Sequence, residues 1–232
     1  MISSNMDESW TAGQLGLSLC KQALGEKTPN SIIDFPSGHG RVMRWLRREW
    51  PAAALHAVEV DEDALQFCEA TFGASPPLRG RPDMKIDLPR NVDLIFSGSL
   101  LTHTTEQQTL DFMHQCFDAL AVDGVMVFTT HGRIAAMLAS ERHPVYGTLI
   151  DTGALYEEYR RAGFAYRSYD PAYPIYGLSL ISYEWLLRQI CRLPFARVMQ
   201  FIEGGLGHQD AYAVRKNPWT LRVGNSAAIE PA

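Results

Sequence analysis

A short apolar run, Ser31-Ile32-Ile33, leads into Asp34-Phe35-Pro36-Ser37-Gly38-His39-Gly40, and the residues that follow, Arg41 to Leu46, take up helical spacing. A strand, a tight glycine turn and a helix N-terminus in that order leave backbone N–H groups aimed outward at a ligand. The glycines matter because only a residue without Cβ lets a ligand approach the backbone so closely. About twenty residues further on, where a carboxylate meets a ribose hydroxyl after such a turn, a second apolar run from Leu55 to Val60 carries Glu59. Together the two features restrict the chain to folds that bring a βα turn and the end of a neighbouring strand to one edge. They point to a nucleoside-containing ligand.

The remaining pattern continues the alternation that specifies a parallel sheet covered by helices. Pro51 ends the first helix. Asp61 caps a helix carrying Ala64, Leu65, Cys68 and Phe72 at helical spacing, and Gly73 closes it. Val92 to Ser97 reads as a buried strand. Thr104 and Gln107 are placed as a capping box for the next helix, whose apolar side is Phe112, Met113, Cys116, Phe117 and Leu120. Asp123-Gly124 turns the chain into a further strand, Val125 to Phe128. Leu155 to Ala162 is helical and stops at Gly163. Phe164 to Tyr169 and Ala211 to Val214 read as two more strands. Pro76 to Arg90, with four prolines, holds at best a short strand.

Three segments lie outside that alternation. Residues 1–28 form an N-terminal helical extension with a helix from Gln14 to Leu24. Residues 170–209, too long for a hairpin turn, are expected as an inserted lid or substrate segment within a domain spanning 29–216. Ser182 to Ile190 is helical there, and Phe195 to Ile202 is an extra strand or helix. Residues 217–232 are expected as a flexible tail.

The turn fits one nucleoside frame better than another. In the dinucleotide fingerprint G-x-G-x-x-G/A, Gly38 and Gly40 would be followed by Met43, too large for the close helix–strand contact. With Pro36 in the first glycine place the segment becomes D-x-G-x-G-x-G with one substitution. That frame resembles motif I of the class I S-adenosylmethionine-dependent methyltransferases. The resemblance runs from about Ile32 to Phe164. It takes in the acidic end of strand two at Glu59, the Asp93-Leu94-Ile95 strand with its loop to His103, the Asp123-Gly124-Val125 turn and Ala162-Gly163-Phe164. More narrowly, Asp34 to Arg41, Gly98-Ser99-Leu100-Leu101-Thr102-His103 and His208-Gln209-Asp210 resemble a bacterial subgroup of these methyltransferases. Some of its members accompany polysaccharide or glycan biosynthesis.

The resemblance implies an α/β, Rossmann-like fold with a mostly parallel seven-stranded sheet, helices on both faces and an insertion before the last strand. It implies S-adenosyl-L-methionine as cofactor and transfer of its methyl group to a small molecule or glycan precursor, expected at oxygen. Gly38 and Gly40 would let the cofactor lie against the turn, beside Pro36. Asp34 would face its methionine amino end and Glu59 its ribose hydroxyls. The adenine would sit near Gly80 to Asp83 and Ser97-Gly98-Ser99. Pro36 removes one backbone donor from this loop. A degenerate, cofactor-binding relative without turnover and a nicotinamide-dependent Rossmann oxidoreductase are the rival readings.

Methyl transfer from a sulfonium is an in-line displacement in which the protein supplies alignment and desolvation. A hydroxyl acceptor also gains from a general base. His103 and His131 follow strands four and five at the carboxyl edge, where open α/β sheets bind ligands, and are the candidate catalytic residues. His39 reads as a turn or pocket-wall residue. His208 with Asp210 either orients a group near the pocket or pairs within the sheet. Strand four is not followed by the Asn/Asp-Pro-Pro-Tyr/Phe motif of base and glutamine methylation, nor by a cysteine nucleophile. No carboxylate–histidine cluster has metal spacing. The Arg41, Arg44, Arg47 and Arg48 run is a solvated helix face, with Arg41 alone a candidate for an anionic acceptor. The aromatics from Tyr166 to Trp185 are packing residues or the wall of a ring- or sugar-binding pocket.

The sequence of 232 residues carries a formal charge of −5, a poor electrostatic match for nucleic acid. Cys20, Cys68, Cys116 and Cys191 form no CxxC pair and fit buried thiols in a reducing compartment. With no secretory leader pattern and no apolar run of about 20 residues, the expectation is a cytoplasmic protein without a membrane partner.

Overall fold

The computed structural model describes residues 2–141 and 150–217, with side chains from Trp10 onward. Helix α1 spans Ile2–Leu24. The strands are β1 (Ser31–Asp34), β2 (Ala54–Glu59), β3 (Leu78–Arg79), β4 (Val92–Ser97), β5 (Leu120–Thr130), β6 (Phe164–Ser168), β7 (Gly177–Ile181), β8 (Ala196–Leu206) and β9 (Gln209–Lys216). Between them lie α2 (Met43–Glu49), α3 (Glu62–Phe72), α4 (Glu106–Ala119), α5 (Arg133–Ser140), α6 (Thr152–Ala162) and α7 (Tyr183–Ile190). Seven strands form the central sheet in the order β3-β2-β1-β4-β5-β9-β8. The first five neighbours pair in parallel, and β9 runs antiparallel to both β5 and β8. The α/β, mostly parallel seven-stranded architecture is therefore as expected.

Strands covered on both faces must be apolar at nearly every position. Ile32, Leu94, Phe96 and Val127 face α1, α2 and α3, where Cys20, Met43, Leu46 and Cys68 meet them. Ile33, Ile95, Met126 and Phe128 face the opposite layer, built on Phe112 and Phe117 of α4 and on Leu186 and Ile190 of α7. Helix α1 extends well before the expected Gln14 start, and its Leu19, Cys20, Ala23 and Leu24 are buried against the sheet.

The helix ends follow local chemistry. Asp61 caps α3 by accepting from Asp63 N–H, and Gly73 and Gly163 end α3 and α6 in the left-handed conformation. The capping box of α4 uses Thr105 and Gln108, one residue later than the Thr104–Gln107 pair. The two pairs have the same spacing, and Thr104 is instead buried with its hydroxyl against Thr109 at 2.8 Å. Helix α5 was not expected.

One strand changes place. Phe164–Ser168 forms β6, but among the described residues β6 pairs only with β7, as a two-stranded sheet beside the main one. The vacant position in the central sheet goes to β8, from within the 170–209 segment. The reason is burial: Ala165, Leu178 and Leu180 pack with Ala135, Ala136 and Leu155 of α5 and α6 into a separate small core. Three backbone bonds fix this hairpin to the sheet's carboxyl edge, from Gly177 N–H to His103 O, Ser179 N–H to Thr102 O and Ile181 N–H to His131 O. Beyond Asn217, whose N–H is bound to Phe195 O, the expected tail lies outside the described residues.

Candidate active site

Strand order reverses between β1 and β4, so the chain leaves these two neighbours in opposite directions and a crevice opens beyond their carboxyl ends. The Asp34–Gly40 turn and the Ser97–His103 loop form its sides. A cleft of about 420 Å³ lies there, lined among others by Asp34, Pro36, Gly38, Glu59, Gly98 and Ser99. A second cleft of about 550 Å³ adjoins it and shares Pro36, Glu59 and Ser99. It continues past Val60, Gly80–Pro82 and Met84 to His103, Tyr173, Ile175 and Tyr176.

The turn is held by main-chain bonds: Phe35 N–H to Phe96 O, Ser37 N–H to Val58 O and Gly40 N–H to Ser37 O. The Phe35–Pro36 peptide is cis. Both glycines have positive φ, but for different ends. At Gly38 (φ +48°) a Cβ would point into open space with nothing within 4 Å, so this residue leaves room over the turn. At Gly40 (φ +72°) a Cβ would lie 2.2 Å from Phe72 Cε2, so this residue lets the turn pack on α3 and is absent from both cleft linings.

Glu59 closes the turn against β2. Its Oε2 accepts from Gly38 N–H at 2.9 Å and its Oε1 from Val60 N–H at 2.7 Å. Asp34 is buried, 2% exposed, and its Oδ2 has no hydrogen-bond partner. Burial raises its pKa to about 8 and the Glu59 carboxylate adds to the rise, while the Met43 backbone pulls the other way. Ser97, wholly buried, also has an unpartnered hydroxyl. Asp34 lines the first cleft, so its unpartnered oxygen is a group that a ligand can satisfy, whereas Ser97 lines neither cleft.

Ser99 adopts φ +60°, uncommon for a residue with a side chain. Its N–H donates to Thr129 Oγ1 at 2.9 Å, Thr129 donates to Gln209 Oε1 at 2.6 Å, and Gln209 Nε2 donates back to the Ser99 hydroxyl at 2.9 Å. The middle residue of the His-Gln-Asp motif thus holds the β4 loop in its conformation. In the same motif, Asp210 accepts from Gly204 N–H at 3.0 Å, and His208 stacks on His131 with centroids 5.2 Å apart.

The two candidate catalytic histidines part company. His103 lines the second cleft. Its Nδ1 lies 3.1 Å from Gly177 O and 2.8 Å from Tyr169 Oη. A carbonyl only accepts, so the neutral ring carries its proton on Nδ1 and a lone pair on Nε2. Burial lowers its pKa, against the raising effect of the Gly177 carbonyl, which favours the neutral base. His131 lies behind it, with ring centroids 6.4 Å apart, 0% exposed, and lines neither cleft. Burial, then His208 and His103, push its pKa down to about 3. It is a buried neutral ring whose backbone carbonyl anchors β7, so of the two histidines His103 alone faces a cleft. His39 is a wall of the first cleft, tilted against Phe67 at 5.6 Å.

Among the described residues, no group of three His, Cys, Asp or Glu side chains is placed to hold a metal, and no helix is long and apolar enough to cross a membrane. The aromatic run from Tyr166 to Trp185 signalled the wall to which Tyr173 and Tyr176 contribute, whereas the pinning of Ser99 by Gln209 had no local signal, because it depends on a contact far apart in sequence.

No protein-family model and no curated protein sequence matches the chain. Solved structures do resemble it. The Burkholderia thailandensis 1,6-didemethyltoxoflavin-N1-methyltransferase, bound to 1,6-didemethyltoxoflavin and S-adenosylhomocysteine, matches with a TM-score of 0.61 at 12% identity, over 90% of this chain and 79% of that one. An S-adenosylmethionine-dependent methyltransferase from Mesorhizobium loti matches with a TM-score of 0.57 at 17% identity, over 86% and 96%. A candidate O-methyltransferase from Nostoc punctiforme gives 0.60 at 16% identity, and there the chain spans only 57% of the longer protein. The chain has the Rossmann-like fold that these class I methyltransferases share.

Proposed function

We propose that this protein binds S-adenosylmethionine across the two adjoining clefts and methylates a small-molecule acceptor at oxygen. The observation that carries the reading is the composition of the crevice at the strand-order reversal: open space over Gly38, Glu59 at the junction of the clefts, and the unpartnered oxygen of Asp34. These residues fit the cofactor. Asp34 would meet its ammonium group, and Glu59 its ribose. Glu59 keeps capacity for this despite its backbone bonds, since a carboxylate offers about four lone-pair sites. The adenine would lie at the Val60 and Gly80–Met84 end of the second cleft. Met43, fully buried at the start of α2, fills the place that a dinucleotide turn keeps small.

When bound, the cofactor would supply a methyl group on a sulfonium, electrophilic towards the acceptor oxygen because the sulfur can leave with the bonding electron pair. His103 takes the hydroxyl proton released from that oxygen and passes it to water. This placement of a neutral imidazole favours oxygen, because an amine acceptor has less need of a base.

Calorimetry with S-adenosylmethionine, S-adenosylhomocysteine, NAD and NADP should give binding of the two adenosyl compounds only; binding of NAD alone would overturn the reading. Glu59→Ala should weaken S-adenosylhomocysteine by about 10- to 100-fold, the worth of hydrogen bonds to a charged group. An unchanged affinity removes Glu59 from the ribose site. His103→Ala should lower kcat by about 10²- to 10⁴-fold with cofactor affinity retained. Equal turnover by the variant would show that His103 is not the base.

A further inference from the structure

The loop joining β6 to β7 carries three large exposed apolar side chains within four residues: Tyr173 at 69%, Ile175 at 41% and Tyr176 at 56% exposure. All three line the second cleft. The loop holds its own shape. Tyr173 N–H donates to Asp170 O, Tyr176 N–H to Tyr173 O, Tyr169 N–H to Tyr176 O, and the Ser168 hydroxyl to Asp170 O. Gly177 fixes its far end, where a Cβ would lie 2.1 Å from Arg167 O. The rings are therefore presented at the cleft by a preorganised loop, which reduces the ordering cost of binding. Tyr176 sits against His103 with ring centroids 5.2 Å apart and a tilt of 38°.

Three polar side chains of this cleft are already engaged with protein. Arg81 makes a two-pronged contact with Asp83. Gln108 Oε1 accepts from Thr105 N–H, and its Nε2 donates to Pro82 O. Thr104 is bonded to Thr109. An acceptor with many hydroxyls would bring several of them against Phe35, Leu100 and Ile175 without partners, and each unsatisfied group carries a penalty. A flat ring loses nothing on the same wall and gains stacking.

Resting on the methyltransferase reading above, we propose that the acceptor is a planar aromatic ring bearing a hydroxyl, stacked on Tyr176 with that hydroxyl at His103. The glycan class suggested by the sequence motifs is thereby set aside. The transferred methyl ends on the ring oxygen as an aryl methyl ether, and the hydroxyl proton leaves through the His103 imidazole to water.

The test is equilibrium binding to the full chain saturated with S-adenosylhomocysteine, with naphthol and catechol compared with glucose and methyl glucoside. The expected result is saturable binding of the aromatic probes and none of the sugars. Tyr176→Leu should weaken naphthol by about tenfold, while Tyr176→Phe, which keeps the ring, should stay within about threefold, the scale of a ring–ring contact. S-adenosylhomocysteine affinity should be the same in all three proteins. Sugar binding without naphthol binding, no binding of either aromatic probe, or naphthol binding indifferent to Tyr176→Leu overturns the proposal. A parallel loss of S-adenosylhomocysteine affinity in Tyr176→Leu also overturns it, because the ring would then cover the cofactor. If the wild-type protein binds no S-adenosylhomocysteine, the underlying methyltransferase reading falls, and this inference with it. Failure confined to the aromatic probes leaves that reading intact.

Discussion

Gly40→Ala should destabilise the protein by about 2–5 kcal/mol, whereas Gly38→Ala should cost only about 1–2 kcal/mol and act instead on ligand binding. Both residues occupy the left-handed region, where a Cβ costs roughly 1–2 kcal/mol. At Gly40 the added methyl also overlaps the Phe72 ring, 2.2 Å from Cε2, and overpacking adds about 1–3 kcal/mol. At roughly 2–4 °C per kcal/mol for a domain of this size, Gly40→Ala should lower the melting temperature by about 10 °C. Gly38→Ala places its methyl in open space over the cleft, so the fold survives and S-adenosylhomocysteine affinity falls. Thermal unfolding and calorimetry on the two variants check the contrast. Equal stabilities, or a Gly38→Ala variant that binds as the wild type does, would refute this division of labour.

Asp34→Asn should make the ligand-free protein more stable at pH 8, although it removes a carboxylate from the candidate site. The buried Asp34 carboxyl has its pKa raised from 3.8 to about 8. Between those values the native state holds a proton that the unfolded chain has released, so stability falls as pH rises, by about 1.4 kcal/mol per unit from this group. The contribution is fully present below the unfolded value and lost once pH passes about 8. The full interval corresponds to roughly 6 kcal/mol as a ceiling. Asp210, raised to about 6 mainly by burial, acts in the same direction over the lower part of the window. Urea unfolding of wild type and Asp34→Asn from pH 5 to 9 should show a falling wild-type curve and a flatter variant curve. A variant that is less stable at pH 8 would mean that Asp34 is ionised and favourably bonded in the native state. Because Asp34 would meet an ammonium group in the proposed complex, cofactor binding near neutral pH should release a proton, read as a dependence of binding heat on buffer ionisation enthalpy.

The parts of this architecture legible from the chain alone were those governed by neighbours in sequence. Runs such as Val92–Ser97 announce strands buried on both faces, because a parallel strand between helix layers has no polar side. Asp61, Gly73 and Gly163 mark helix ends because capping and the left-handed C-terminal turn are satisfied within a few residues. The Asp34–Gly40 turn and the spacing to Glu59 place the crevice at the sheet's carboxyl edge.

Tertiary structure decided what depends on distant partners. The two glycines look alike in the motif and differ only because Phe72 packs over one of them. His103 and His131 both follow strands at the sheet's carboxyl edge, yet β7 and His208 seal His131 in and leave His103 on a cleft wall. Phe164–Ser168 and Ala196–Leu206 both have strand-forming composition. Which joins the central sheet is set by the small core of α5 and α6 that claims the first. Gln209 reaches back 110 positions to fix Ser99. Local propensity and periodicity sum over neighbouring residues and are written in order along the chain. Pairing partners, enclosure of a side chain and the wall of a cleft are set by residues that only folding brings together.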